Sequence, residues 1–414
     1  MLSRFFKRSN KGGPSEKEEG TPTTPESHVE SASHNPLVPC VLVVGDFRET
    51  DAIGFAKRAW KKIDAHYEAE NAFFGPAPVP VANPLAPQGS HCIGFDEDRS
   101  MFDSPCVFPI PVNDFGRATS PTFQMHILEL FKDHNIVGII SCGTADTNIG
   151  LAEAVRFIDV PVLLVLDSTL DGPELFIPNA RELITGKMHK NEANAEQLVP
   201  NALQLIPNNA LQAQAILSKV GVLSTNRPNP VVQLLCFPPD DPYVKDLRSA
   251  VESNVEETNR SKISPELVDI TRFQVKKNAV LLCLGYYETL AAIPKSIKNC
   301  QLLLSDGFDE RAAKSEKIEV GHYYQISPVF DPLEHALDAY KVVNRLWRDS
   351  QDLNPDDLPI RLRSKIQNVR ELLEREYGDR YRFVGATNQR GGFYAKKVPM
   401  RRRRRFLPDP RQRL

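Results

Sequence analysis

Short apolar runs bounded by turn residues recur from residue 39 onward. They are PCVLVVG at 39–45, a run at 136–140, VPVLLVL at 160–166, VVQLLCF at 231–237, AVLLCL at 279–284 and a run at 301–304. Runs without polar alternation predict strands buried on both faces, as in parallel sheets. Between them the apolar spacing changes to three and four. Ile53, Ala56, Trp60, Ile63 and Tyr67 mark one helical face, and Leu362, Ile366, Val369, Leu373 and Tyr377 another. A third face, Leu333, Ala336, Leu337, Tyr340, Val343 and Trp347, opens with Asp331 as N-cap and Pro332 as first helical residue. This alternation predicts an α/β protein with two parallel sheets. A chain of 414 residues also exceeds what one core usually supports, so two lobes are expected.

Three stretches fall outside the pattern. Residues 1–36 are rich in Ser, Glu, Pro and Lys without apolar periodicity and are expected to be disordered. FGPAPVPVANPLAPQG at 74–89 holds too much proline for a helix or central strand and reads as a surface excursion. The third is the basic end. Formal net charge is only -2, yet the last nineteen residues hold nine Lys/Arg and one Asp. Residues 401–414 are expected to be a disordered tail, whose run Arg401–Arg405 offers a contact for a polyanion such as nucleic acid or anionic lipid. A merely solvated tail is the commoner use of such a run.

Charged content of 25% and hydrophobic content of 41% suit a soluble globular protein, and no run is apolar for long enough to span a bilayer. The N-terminus MLSRFFKRSNKGGPSEKEEG lacks the apolar core of a secretory signal. A cytoplasmic location is therefore expected, and a periplasmic one if the N-terminus is misassigned. Of seven cysteines, Cys236 and Cys283 lie in apolar strands and are expected to be reduced. Cys92 and Cys106 flank a polar loop and would pair only in an exported protein.

Phosphate-loop, dinucleotide, nucleophile-elbow, zincin and CxxC motifs are all missing from the sequence, so no catalytic residue, metal or cofactor is assigned. One stretch does carry chemistry. In GIISCGTADTN, 138–148, an apolar strand stops at Ser141-Cys142-Gly143-Thr144 and a helical pattern follows. Backbone N–H groups, the helix dipole and hydroxyls converge there, which suits an anion. Helix capping alone would also favour these residue types.

The order of segments resembles the type I periplasmic-binding-protein-like family, which includes leucine- and amide-binding proteins. The segments are CVLVVGDFRETDAIGFAKRAWKKID, HNIVGIISCGTADTNIGLAEAVRFIDVPVLLVLDSTLDGPEL, LQLIPNNALQAQAIL, CFPPDDPYVKDLRSAVES, LLCLGYYETLAAI, LLLSDGF, ALDAY and FVGATNQRGGF. The resemblance implies two Rossmann-like lobes joined by a three-crossover hinge, closing on a ligand in the cleft between them. Its lobe boundaries are about 37–207 with 328–388, and 208–327 with 389–400. It further implies that Gly143, Thr144, Ser168 and Thr169 hold a ligand carboxylate. Tyr243 and one of Tyr286 and Tyr287 would cover the ligand body, and Asp306 would meet its ammonium. Gln204 departs from the family, which has an arginine there, and the excursion at 74–105 replaces a short connection.

The expected function is that of a sensor binding an amino-acid-like or amide ligand by cleft closure, intracellular and signalling to a protein partner. Three alternatives stand beside it. They are a solute-binding component of an ABC transporter, a Rossmann-like enzyme acting on a nucleotide or sugar, and a ligandless scaffold.

Overall fold

The computed structural model describes residues 39–47, 54–71, 104–155, 158, 160–177, 200–225, 231–257, 265–267, 274–286, 300–307, 322–351 and 365–399. The N-terminal segment, the proline-rich excursion, Cys92, Tyr287 and the arginine run lie outside these residues. In chain order the elements begin β1 (Pro39–Gly45), α1 (Phe55–Asn71), β2 (Cys106–Pro111), α2 (Pro121–Asp133), β3 (Asn135–Ser141), α3 (Ala145–Val155), β4 (Val162–Leu164) and β5 (Ala202–Gln204). They continue with α4 (Asn209–Ser224), β6 (Val232–Phe237), α5 (Pro242–Glu257), β7 (Pro265–Leu267), β8 (Val280–Gly285), β9 (Gln301–Leu304) and β10 (His322–Pro328). The last are α6 (Pro332–Gln351), α7 (Lys365–Glu376), β11 (Phe383–Val384), β12 (Thr387–Asn388) and β13 (Phe393–Pro399).

Two sheets result. The first has the order β11-β12-β5-β4-β3-β1-β2 and the second β13-β10-β9-β8-β6-β7. Pairing is parallel except for β11 on β12 and β13 on β10, which are antiparallel. The two sheets are thus mostly parallel, as expected, with one antiparallel pair at an edge of each. β11, β12 and β13 all come from the C-terminal part of the chain; a tight turn joins β11 to β12, and β13 follows β12 after residues 389–392 to lie against β10.

Both faces of the first sheet are sealed, as unbroken apolar strands require. Val41 and Val43 face α1, α6 and α7, while Leu42 and Val44 face α2 and α3. The second sheet packs against α4 and α5, and Ala145 at the start of α3 joins that core. The first sheet's helices thus touch the second lobe at the head of α3. The chain passes between the sheets three times, through 205–208, 329–331 and 389–392. Asp331 caps α6 by accepting from Leu333 N at 2.9 Å, and Val329 N donates to Gly392 O at 3.2 Å, tying two passages together.

Candidate functional site

In both sheets the C-terminal strand ends point toward one cavity of about 660 Å³. Open α/β sheets bind ligands at such ends, and this volume lies within the range of about 300–1,000 Å³ usual for small-molecule sites. Gly143 and Thr144 reach it from the end of β3, Ser168 from beyond β4, Tyr243 from the first turn of α5, Tyr286 from beyond β8 and Asp306 from beyond β9. Six residues singled out in the sequence therefore line one space.

The turn after β3 is shaped by Gly143. A Cβ there would stand 2.3 Å from Thr147 Cγ2, so only glycine lets the chain pass this close to the first turn of α3. Its N–H is 3.4 Å from Ser141 Oγ, whose hydroxyl donates to Asn148 Oδ1 at 2.5 Å. Thr144 is exposed directly ahead of the first helical residue.

The turn after β4 departs from expectation. Thr169 is not in the cavity wall; its hydroxyl donates to Asp167 Oδ1 at 2.7 Å, and its N–H donates to the same oxygen at 3.0 Å. Ser168 does line the cavity, but its hydroxyl proton goes to Asn209 Oδ1 at 2.8 Å. Asn209 in turn donates to Asp246 Oδ2 at 2.8 Å, and that oxygen also accepts from Leu170 N at 3.0 Å. These hydroxyl protons serve a polar joint between the lobes. Gln204 belongs to the same joint, its amide donating to the carbonyls of Asp167 and Thr169 at 2.7 and 2.8 Å. A neutral fork of two N–H groups does this without burying a charge.

Across the cavity, Asp306 Oδ1 accepts from Gln212 Nε2 at 2.8 Å and from the Tyr243 hydroxyl at 2.5 Å. Burial pushes its carboxyl up to about 6, outweighing the opposite pull of those donors. The rings of Tyr243 and Tyr286 lie 5.3 Å apart, and the Tyr286 hydroxyl donates to Asp241 Oδ1 at 3.2 Å. Gly307 supports this wall, since a Cβ on it would meet Gly285 O at 2.5 Å.

Several lining residues carry no signal in the sequence. Asp167 is buried in the wall, where desolvation raises its carboxyl despite donors from Thr169 and Asn148. Arg58 and Arg117 bring positive charge to the first-sheet side, and Asp46 and Asp146 line the same region. Arg58 could have been noticed: with Lys57 it sits in the first turn of α1, where the helix dipole disfavours cations.

With both sheets and the cleft described, the architecture is the two-lobed α/β fold of type 1 periplasmic binding proteins. No protein-family model and no curated protein matches the sequence. Solved structures do match. A type 1 periplasmic binding protein from Bordetella pertussis Tohama I is 11% identical, with 88% of this chain and 100% of that chain covered, at a TM-score of 0.51. The branched-chain amino acid transporter substrate-binding protein LivJ from Streptococcus pneumoniae, in complex with isoleucine, is 10% identical, with 87% and 99% covered, at 0.50. An ABC transporter substrate-binding protein from Desulfitobacterium hafniense, in complex with Leu, is 11% identical, with 87% and 97% covered, at 0.50. At these identities the likeness establishes the fold. No helix among the described residues is long and apolar enough to cross a membrane.

Proposed function

We propose that this chain is a solute-binding protein that holds an amino-acid-like zwitterion between its lobes and makes or breaks no bond in it. The observation that carries the reading is the division of charge and hydrogen-bonding groups across one cavity. Arg58 and Arg117, with the head of α3, stand on the first-sheet side beside Asp46 and Asp146; Asp306 and the Tyr243–Tyr286 pair stand on the other, where no cation lines the wall among the described residues. A carboxylate suits the first wall, an ammonium the carboxylate of the second, and an aliphatic body the tyrosine faces. The fold is shared with solved substrate-binding proteins holding isoleucine and leucine. That likeness supports the transporter alternative better than an intracellular sensor, so we adopt solute capture for transport as the leading role.

Calorimetric titration of an amino-acid and amide panel tests the reading. A hydrogen bond to a charged group is worth about 1.5–3 kcal/mol, so Thr144→Ala and Arg58→Ala should each weaken the best ligand about tenfold or more. Asp306→Ala should weaken it further by leaving an ammonium desolvated and unpaired. A ligand that binds all three variants as it binds wild type would move the site elsewhere. A panel in which nothing binds would favour the scaffold alternative.

A further inference from the structure

β1 and β2 run side by side in parallel, and their register sets Cys40 opposite Cys106. Both side chains enter the same sealed layer beneath α2 and α3. Their Sγ atoms are 3.0 Å apart, and Cys106 Sγ lies 3.2 Å from the Pro39 carbonyl. Neighbouring strands stand about 4.7–4.9 Å apart, inside the Cα separation of roughly 4.4–6.8 Å that a disulfide spans. A third group completes the cluster. His134, the residue capping the C-terminus of α2, is hydrogen-bonded to Cys40. Contact with Cys106 and with His134 brings the Cys40 thiol down to about 7 against the effect of burial, whereas burial holds Cys106 up. The more acidic thiol is thus beside a base and facing a second thiol.

We propose that Cys40 and Cys106 are a disulfide site, closed by exchange with a small-molecule disulfide such as oxidised glutathione as the chain folds. While the cysteines are still open to solvent, water takes the Cys40 proton and the thiolate attacks one sulfur of the oxidant, releasing one thiol and forming a mixed disulfide; His134 then stands beside Cys40 as the layer closes. Cys106, deprotonated in turn, attacks Cys40 Sγ and expels the second thiol. Two protein thiols are oxidised to one disulfide, and one oxidant disulfide is reduced to two thiols. Closure belongs to folding rather than to the finished molecule, because both sulfurs are sealed from solvent, at 0% and 2% residue exposure. The bond would tie edge strand β2 to β1 across the 66 positions separating the cysteines. This inference does not depend on what the cleft binds.

The full chain, reduced and unfolded, is refolded in a glutathione redox buffer and, in parallel, with dithiothreitol. Free thiols are then alkylated and peptides mapped by mass spectrometry. The oxidised sample should lose two hydrogens, leave five of its seven thiols free and yield a Cys40–Cys106 linked peptide. Its urea midpoint should exceed that of the reduced sample and return to it on adding reductant. Cys40→Ser and Cys106→Ser should lose the linked peptide; should either fail to fold, the wild-type map decides alone. Seven free thiols after oxidative refolding, or Cys106 linked to Cys92, would overturn the proposal.

Discussion

Asp306 shows how a carboxylate in the cavity wall burdens the molecule that carries it. Its carboxyl titrates at about 6 in the folded protein against an ordinary 3.8, so the folded state takes up the proton more readily than the unfolded one. The stability this proton provides is fully present below about pH 4 and is lost as pH rises through 6. At pH 7.5 the group is ionised and opposes folding by up to about 3 kcal/mol, less where cavity water reaches it. Asp306→Asn keeps the size and an acceptor for Tyr243. It should therefore stabilise the ligand-free protein by about 1–3 kcal/mol at pH 7.5 in urea unfolding. The same variant should lose at least tenfold in ligand affinity. A variant that loses both stability and affinity would mean that the carboxylate serves packing alone. Asp306 was singled out through the family resemblance of LLLSDGF, whereas its place before Gly307 alone suits a turn carboxylate equally well. Thr169 looked equally good, but a hydroxyl at a strand end carries no mark of whether its proton faces a ligand or a neighbouring carboxylate. Arg117 sits in a connection without periodicity, so only the folded chain brings it to the cavity.

Among the elements, α6 illustrates a local signal that held. Asp331 and Pro332 read as cap and first residue, and the folded helix begins at Pro332 with the Asp331 carboxylate accepting from Leu333 N. Asp331→Ala should lower stability by about 1 kcal/mol in urea unfolding. Ligand affinity should stay within about twofold of wild type, since Asp331 is outside the cavity wall. The double-sided apolar strands were legible for a related reason: burial on both faces removes polar alternation from the sequence. β2 was not. Pro109 and Pro111 argue against a strand, yet among the described residues β2 is an edge strand paired only with β1, where a missing N–H is tolerated. β11 and β12 span two residues each, too short to leave any pattern.

For the molecule as a whole, acid stability depends on groups of opposite sign. His335 is buried on α6 with Nδ1 2.6 Å from the Tyr381 hydroxyl, near Arg380 and the Phe330 ring, and its imidazole is held down to about 4, chiefly by burial. The unfolded chain protonates this residue below about 6.5 while the folded one resists, so stability is lost between those values as pH falls. His335→Gln retains a partner for Tyr381. The difference in unfolding free energy between it and wild type should change by up to about 3 kcal/mol between pH 7 and 4. Asp306→Asn should tilt the profile the other way. Truncation after Pro399 should leave the unfolding midpoint and ligand affinity unchanged, because β13 pairs with β10 up to that residue. Any polyanion contact made by the arginine run should disappear with it and weaken steeply with salt in the full chain. Loss of cleft affinity on this truncation would mean that the tail packs on the domain. β12 and β13 follow one another within Thr387 to Pro399, yet they complete different sheets. During synthesis, then, the first sheet acquires its last strand only with residue 388 and the second only with residue 399. The usual order, in which an N-terminal domain folds while the rest is still being made, is denied to this protein.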